Sequence, residues 1–354
     1  KSTHKNAPKV KPSTRLIQGI IERRRTHKHQ QALQNVHLPK MAYIIKTCKY
    51  RKGLHLNGSK TPYGEARRLR YFSLICKELL KSQPINVDLF IDKLLLAVTK
   101  INPKLTDYMR TTGIMKTRAV TRNYLRFASW LNFLRIESYF VMPSAYTVFL
   151  ANLKSRDDFV LDEEEKVGFF LALIKIKEVQ EVLQNLQTRN SIKKILESSK
   201  LSEHFVESFF EWFVDLNILR PSSRQFGTFN LTNLGYHTVE AAKSAQILKI
   251  IKSYLTHLLG FEIECETHLR DDDIGDLLDS AIKKLGSYTR SEIDQCLHSA
   301  LPIVLEMQLR LIFCYHTFIE TEKLIKRLEN ISPCHNIIFS WDSLANAGFI
   351  KILR

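Results

Sequence analysis

Long hydrophobic runs are absent from the sequence, and glycine and proline are scarce. No apolar run approaches the roughly 20 residues that a membrane-spanning helix needs, and the first residues lack the charged and then apolar pattern of a secretory signal. Of 354 residues, 12 are glycine and 10 are proline, while 44% are hydrophobic with a spacing that is mostly helical. We therefore expect a mainly α-helical protein with small β-elements and no membrane segment.

Closely spaced cysteines are also lacking. The six cysteines include no C-x-x-C pair, and the simplest interpretation is a set of reduced thiols. Cys314 and His316 would lie about 200° apart on a helix, so they could not face one zinc ion together. Reduced thiols fit a cytoplasmic protein, nucleoid-associated in a prokaryote, or a nuclear protein in a eukaryote. We expect no metal and no cofactor.

The motifs of common enzymes are missing as well. There is no P-loop, G-x-G-x-x-G, G-x-S-x-G or H-E-x-x-H. One alternating stretch predicts a half-buried strand with Glu262, Glu264 and Glu266 on one side, which could hold Mg²⁺ for phosphodiester cleavage. The lysine expected two residues after an acid in restriction-type nucleases is absent, because His268 and Leu269 follow. A non-catalytic protein is therefore the main hypothesis and a Mg²⁺-dependent nuclease subunit is the alternative.

Acidic residues are nearly absent from the first quarter of the chain. Residues 1–83 hold 20 lysines and arginines but 3 acids, whereas the remaining 271 residues hold 33 of each sign. The formal net charge of +17 therefore lies in this segment, as in an arm that binds nucleic acid and releases counterions. An anionic membrane surface, an acidic protein partner and a solvated tail are the alternatives. The predicted phosphate contacts of this segment are Lys49, Arg51, Lys52, Arg67, Arg68 and Arg70.

The stretch 117–135 predicts a helix with two different faces. Apolar residues at i, i+4, i+7, i+8 and i+11, counted from Val120, form a core-facing stripe. Three arginines recur every four residues on another side, where like charges repel by about a few tenths of a kcal/mol per pair. Such an alignment suggests an anionic ligand along that face, and we predict a DNA-reading helix. Its predicted contacts are Lys116, Arg118, Arg122, Asn123 and Arg126.

The exit from this helix recurs later in the chain. Leu131-Asn132-x-Leu134-Arg135 is repeated 85 residues later as Leu216-Asn217-x-Leu219-Arg220. In each copy a helix ends at an asparagine, which tolerates the left-handed conformation, and a short strand, a turn and a return strand follow. The order predicts two copies of one module, each with a two-stranded wing. The candidate nucleic-acid contacts in the wings are Arg135, Arg220 and Arg224.

The helix before the second exit carries acids where the first carries arginines. Glu203, Glu207, Glu211 and Asp215 recur every four residues, and such a face repels phosphate. Three interpretations stay open for it: docking on a basic surface of a partner subunit, docking on this chain's own basic arm, or an ordinary solvated helix face.

The C-terminal part has a third, weaker signal. Residues 280–330 show a helical pattern with apolar side chains on more than one face, which is typical of a central helix or of a helix against another chain. Ser340-Trp341 and Gly348-Phe349 predict a third helix-to-strand exit that is left incomplete. The predicted boundaries are 1–83 for the basic arm and its helices, 84–156 and 157–258 for two modules, and 259–354 for an α-rich domain with a partial third module.

Together with the run Leu231-Thr232-Asn233-Leu234-Gly235, the two exits resemble the winged-helix superfamily. The tandem arrangement, over roughly residues 86–255, resembles the recognition regions of type IIS restriction enzymes and phage-defence DNA-binding subunits. The resemblance implies DNA binding or protein docking.

These patterns predict a non-catalytic protein that binds double-stranded DNA as a subunit of a larger nucleic-acid-processing or defence complex. A scaffold that binds RNA or acidic protein partners is a further alternative. Protein partners are expected on the face of Glu203, Glu207 and Glu211 or on the C-terminal helices.

Overall fold

Helices dominate the structure, a computed structural model. It describes residues 66–82, 85–99, 113–154, 160–186, 192–197, 201–222, 228–265, 269–285, 298–335, 337–342 and 347–352. Three small antiparallel sheets of two or three strands accompany the helices in these ranges, so the predicted mainly α class with small β-elements is confirmed. No helix within them is long and apolar enough to cross a membrane.

The first unit, residues 66–154, consists of a helix, a strand, two helices, a hairpin and a closing helix. Its elements are α1 (Leu69–Leu80), β1 (Ile85–Asn86), α2 (Val87–Val98), α3 (Arg118–Trp130), β2 (Leu134–Glu137), β3 (Phe140–Pro143) and α4 (Ala145–Ala151). β3 lies between β1 and β2 in one antiparallel sheet. Because α1 packs on α2, α3 and α4, the unit begins before residue 84, the boundary predicted from sequence.

Helices α2 and α3 begin at capping side chains. The Asn86 side chain accepts a hydrogen bond from the Asp88 backbone N–H at 2.9 Å. The Thr117 hydroxyl does the same for the Val120 N–H at 3.3 Å. These acceptors satisfy N–H groups that have no partner inside a helix. α3 occupies the first part of the stretch 117–135, in which a helix is predicted from sequence, and it ends at Trp130.

The second unit, residues 160–265, has a two-stranded sheet and more helices. Its elements are α5 (Glu163–Leu173), α6 (Lys177–Asn185), α7 (Ile192–Leu196), α8 (Glu203–Asp215), β4 (Leu219–Pro221), β5 (Phe229–Leu231), α9 (Asn233–Ala242) and α10 (Ile247–Leu259). The sequence pattern predicts one helix over 166–186, whereas the structure breaks it at residues 174–176. The Gln180 side-chain amide donates to the Ile174 carbonyl at 2.7 Å, which satisfies a helix-end carbonyl at the break.

The third unit, residues 269–352, repeats the element order of the first. Its elements are α11 (Asp271–Leu285), β6 (His298–Ser299), α12 (Ala300–Tyr315), α13 (Thr321–Ile331), a 3₁₀ turn (Ser332–His335), β7 (Ile337–Asp342) and β8 (Ala347–Ile352). β8 lies between β6 and β7, as β3 lies between β1 and β2. The predicted exit near Ser340 and Trp341 is wrong, because both residues belong to β7 and the hairpin with β8 is closed.

Helix α12 joins the third unit to the other two. Leu301, Leu305 and Leu309 belong to a hydrophobic cluster that runs through the first and second units. Val304 and Met307, on its other side, belong to the cluster of the third unit. The helix contacts α4 and α5 as well as α11 and β8. Of the two interpretations of this apolar stretch, a central position is the one that the packing supports.

Candidate nucleic-acid interface

The two predicted helix exits have the same backbone geometry. Asn132 and Asn217 adopt left-handed φ angles of 59° and 62°. One residue later, the Phe133 N–H donates to the carbonyl five residues back at 2.8 Å, and the Ile218 N–H does the same at 2.8 Å. This is the Schellman pattern, which satisfies carbonyls at a helix end. The 85-residue sequence repeat is therefore a repeat of local structure.

The same exits are tied to the helix that follows each hairpin. Ser144, the N-cap of α4, donates its hydroxyl hydrogen bond to the Asn132 carbonyl at 2.6 Å. Thr232, the N-cap of α9, donates to the Asn217 carbonyl at 2.5 Å. Each hairpin is thereby closed at its base, and the helix before it is held at a fixed angle to the sheet.

The inner face of α3 is fixed by aromatic packing on α8, the equivalent helix of the second unit. The Phe127 ring centroid lies 5.2 Å from that of Phe205 and 6.1 Å from that of Trp212. Trp130 lies 5.2 Å from Phe205. Tyr124, like Phe127, is fully buried, so the predicted core-facing stripe is confirmed. The opposite face of α3 is left toward solvent.

That outer face carries the predicted cations. The side chains of Arg118 and Arg122 are each 46% exposed. Lys116 and Arg126 are exposed, and neither forms an ion pair with another residue of the described ranges. Asn123 is half-buried. Three exposed cations therefore lie along one side of the helix, and Lys116 lies just before its N-cap.

Two carboxylates of α2 approach the same face. Asp88 Oδ1 lies 3.0 Å from Arg118 Nη2 and 3.1 Å from Arg122 Nη2. Asp92 accepts a further hydrogen bond from Arg118. The hydrogen bond to Asp92, and then the one to Asp88, raise the pKa of the Arg118 guanidinium above its ordinary value. The repulsion between the arginines is thus relieved inside the chain, and their alignment does not by itself require an external anion.

Asp88 and Asp92 were absent from the residues predicted for the site. A signal for them exists in the sequence, because they are spaced i, i+4 on the helix that precedes the arginine stripe. Consecutive helices in a short unit pack against each other, so opposite charges in matching rows are expected to meet. Only the structure shows that the aspartates lie on the side that faces the arginines.

The wing cations occupy two different settings. Arg135 lies along its own hairpin, with Nε 3.3 Å from the Pro143 carbonyl and Nη1 3.4 Å from Glu137. Arg220 on β4 is exposed. Lys49, Arg51, Lys52 and Arg224 lie outside the described residues.

The structure removes three predicted phosphate contacts from the interface. Arg67, Arg68 and Arg70 are between 2% and 6% exposed. Arg68 lies 3.1 Å from Glu211, and Arg70 lies 2.5 Å from Glu165. Arginines that are buried and matched by carboxylates cannot reach a nucleic-acid backbone. Their positive charge in the sequence is compensated within the fold.

These arginines form a seam between the first and second units. Arg67 lies 2.7 Å from Glu207, and Arg68 lies 3.9 Å from Asp215 as well as near Glu211, so three of the four acids of the α8 stripe pair with residues 67 and 68. The Trp212 indole N–H donates to the Ala66 carbonyl at 2.7 Å. Of the interpretations left open for the acidic stripe, the contacts match docking on this chain's own basic residues. The stripe is not available as a partner surface along that part of its length.

The predicted carboxylate strand does not form. Residues 261–265 are irregular apart from an isolated bridge between Glu264 and Thr317. Glu262 is exposed and lies 3.3 Å from Lys252, and Glu266 lies outside the described residues. The described ranges contain no group of three or more His, Cys, Asp or Glu side chains placed to hold a metal ion.

No protein-family model matches the chain, and comparisons with curated proteins and with solved structures give no significant match. A functional inference therefore depends on the geometry and charge of the chain's own residues.

Proposed function

We propose that the chain is a non-enzymatic nucleic-acid-binding protein whose first unit holds duplex DNA against the outer face of α3. The observation that carries the proposal is the exposure of four cations, three of them on one side of this helix and one just before it. They are Lys116, Arg118, Arg122 and Arg126. Asp88 and Asp92 compensate two of these charges, so the face keeps a positive excess.

The element order supports this placement. We infer that the first and third units are winged helices, since each has a helix, a strand, two helices and a hairpin, with the last strand in the middle of the sheet. In helix-turn-helix proteins the second helix of the pair is the one that enters the major groove. Here that helix is α3, whose 13 residues extend about 20 Å. A groove about 12 Å wide admits such a helix.

The charge of the preceding chain supports the same ligand. Residues 1–65 hold 15 lysines and arginines and 2 acids. They join the described fold at Ala66, and the Arg67 side chain packs directly against Gly113, shortly before α3 begins. The basic segment and the basic helix face are therefore connected at the N-terminal end of α3. A polyanion held at α3 is attracted by both.

Replacing Arg126 tests the proposal. Arg126→Ala removes an exposed cation that has no ion pair to lose within the described residues. We expect duplex DNA affinity to fall about three- to tenfold and the salt slope to decrease by about one. Lys249→Ala, which removes an exposed cation from α10 in the second unit, is the matched control and should leave both quantities unchanged.

Competition measurements separate the ligand classes. Fluorescently labelled duplex DNA is displaced in turn by unlabelled duplex DNA, single-stranded DNA and duplex RNA. Duplex DNA should be the strongest competitor. Equal effects of Arg126→Ala and Lys249→Ala would remove α3 from the interface. Stronger competition by RNA would overturn the assignment to DNA.

A further inference from the structure

Asp88 and Asp92 form ion pairs with the guanidinium groups of Arg118 and Arg122, which are the cations proposed to contact phosphate. We propose that these two carboxylates are an internal competitor that sets the specificity of the α3 face. A ligand must displace them, so only a ligand with several correctly spaced phosphates binds well. This inference rests on the proposed function and adds to it a means of rejecting small or poorly matched anions.

Asp88 bridges the two arginines. Its Oδ1 atom lies 3.0 Å from Arg118 and 3.1 Å from Arg122, so one anionic oxygen serves two guanidinium groups. Asp92, one helical turn later, accepts from Arg118 as well. A phosphodiester has the same single charge as a carboxylate. When a single phosphodiester group replaces Asp88, the arginines exchange one anion for another of equal charge, and the net gain in binding free energy is small.

The backbone that carries Asp88 is fixed by a helix cap and by the sheet. Asp88 lies in the first turn of α2, where its N–H is bound by the Asn86 side chain at 2.9 Å. Asn86 itself belongs to β1 and pairs with Phe140 of the hairpin. The sheet and the helix cap therefore position the start of α2 so that its two acids face the arginines of α3.

The ion pairs of Asp88 and Asp92 are strong enough to weaken the binding of a ligand that makes one contact, and weak enough to be displaced by a ligand that makes several. The four side chains involved are between 46% and 62% exposed. Exposed ion pairs of this kind shift an equilibrium by up to about fivefold each. Such a factor suppresses a ligand that makes one contact, whereas a ligand that makes several contacts at once can overcome it.

The two open cations supply the extra contacts. Lys116 lies before the arginine pair and Arg126 lies after it, and neither has an ion pair within the described residues. The helix rises about 12 Å between Arg118 and Arg126. A nucleic-acid backbone that follows the helix engages the open cations first and then replaces the aspartates. Specificity arises because poorly matched ligands still meet the two carboxylates.

The inference is tested with Asp88→Asn in the full chain, using a duplex of one helical turn and a duplex of several turns. We expect affinity for the short duplex to rise about three- to tenfold. Because both duplexes displace the same carboxylates, the long duplex should gain by a similar factor, and the salt slope should steepen by about one. Glu240→Gln, which alters an exposed ion pair with Lys243 on α9, should change nothing.

Asp92→Asn provides a second variant. Asp88 lies where an acid stabilises a helix N-terminus, so thermal unfolding is measured for each protein, and Asp92 lies outside that first turn. If both variants bind the two duplexes as the wild type does while Arg126→Ala still weakens binding, the competitor role is overturned and the DNA-binding proposal stands. If the wild type and both variants fail to bind and Arg126→Ala has no effect, the proposed function itself fails.

Discussion

Asp215 shows how burial changes the chemistry of one carboxyl group in the seam. Burial raises its pKa to about 7, against the opposing effects of Arg68 and of the Leu69 backbone N–H, which donates to it at 2.8 Å. Glu211, one turn earlier on α8, adds a further raising effect. In the folded protein Asp215 therefore keeps a proton that the unfolded chain releases near pH 3.8.

This difference predicts a pH-dependent stability. Because the folded pKa is above the unfolded one, the contribution of Asp215 is fully present below about pH 3.8 and is lost as the pH rises through about 7. The full loss corresponds to about 4 kcal/mol. Asp215→Asn keeps the acceptor for Leu69 but cannot ionise. In urea unfolding between pH 4 and about pH 8, the stability of the variant relative to the wild type should increase with pH. A difference that is independent of pH would contradict the assignment.

The two exit asparagines predict a backbone effect. A left-handed conformation costs about 1–2 kcal/mol for a residue with a β-carbon and no compensating side chain. Asn217→Ala should lower the free energy of unfolding by about 1 kcal/mol, whereas Asn217→Gly should leave it nearly unchanged. The same pair of substitutions at Asn132 repeats the test in the other unit. Equal stability of the alanine and glycine variants, measured by chemical denaturation, would argue against the left-handed exits.

At the scale of elements, the ion pairs of residues 67–70 hold α1 against α5 and α8. Arg70 meets Glu165 in α5, and the Ser73 hydroxyl donates to the same Glu165 oxygen at 2.9 Å. Burial raises the pKa of Glu165, and Arg70 and then Ser73 oppose this effect. Each of these two buried charges stabilises the fold only while the other is present, because a buried charge without its partner lowers the free energy of unfolding.

Removing one partner should therefore be strongly destabilising. Glu165→Ala leaves the Arg70 guanidinium without its buried carboxylate, and we expect a loss of about 3 kcal/mol or more in urea unfolding. Glu163→Ala, an exposed acid two residues earlier on the same helix, should cost less than about 0.5 kcal/mol. Similar losses for the two variants would show that the ion pair is not what holds α1 to α5.

Local signals in the sequence were sufficient for several elements. Thr117 marks the start of α3, and Asn132 and Asn217 mark two exits, because capping and left-handed conformations depend on neighbouring residues. The third exit has a 3₁₀ turn at Ser332–His335, and Asn336 comes directly before β7 in the sequence. The sequence pattern instead predicts this exit near Ser340 and Trp341, but both residues lie in β7.

The site was harder to predict because compensation between charges is not local. Arg67 and Arg68 meet acids that are 140 and 143 residues away in the sequence, so composition alone counted them as part of a basic arm. Arg118 and Arg122 contact Asp88, which is 30 and 34 residues away in the sequence. Predicting these contacts requires knowing which sides of α2 and α3 face each other. A count of charges locates an excess but does not say which charges are already paired.

For the whole molecule, the main feature is one basic helix face on a largely self-compensated body. The α8 face that corresponds to the α3 face is buried in the seam. α12 lies between the hydrophobic cluster of the first and second units and that of the third unit. Residues 1–65 carry a net charge of +13 out of the total of +17 and precede Ala66 in the sequence. We propose that this charge adds to the attraction of the α3 face for a polyanion.

The central claim is tested most directly by the affinity of the full chain for duplex DNA as a function of salt concentration. Contacts from Lys116 and Arg126 alone would give a slope of about −1.8 in log K against log salt, and the arginines and the basic segment would make it steeper. We therefore predict a linear decrease with a slope steeper than about −2. A slope near zero, or no binding at low salt, would contradict it.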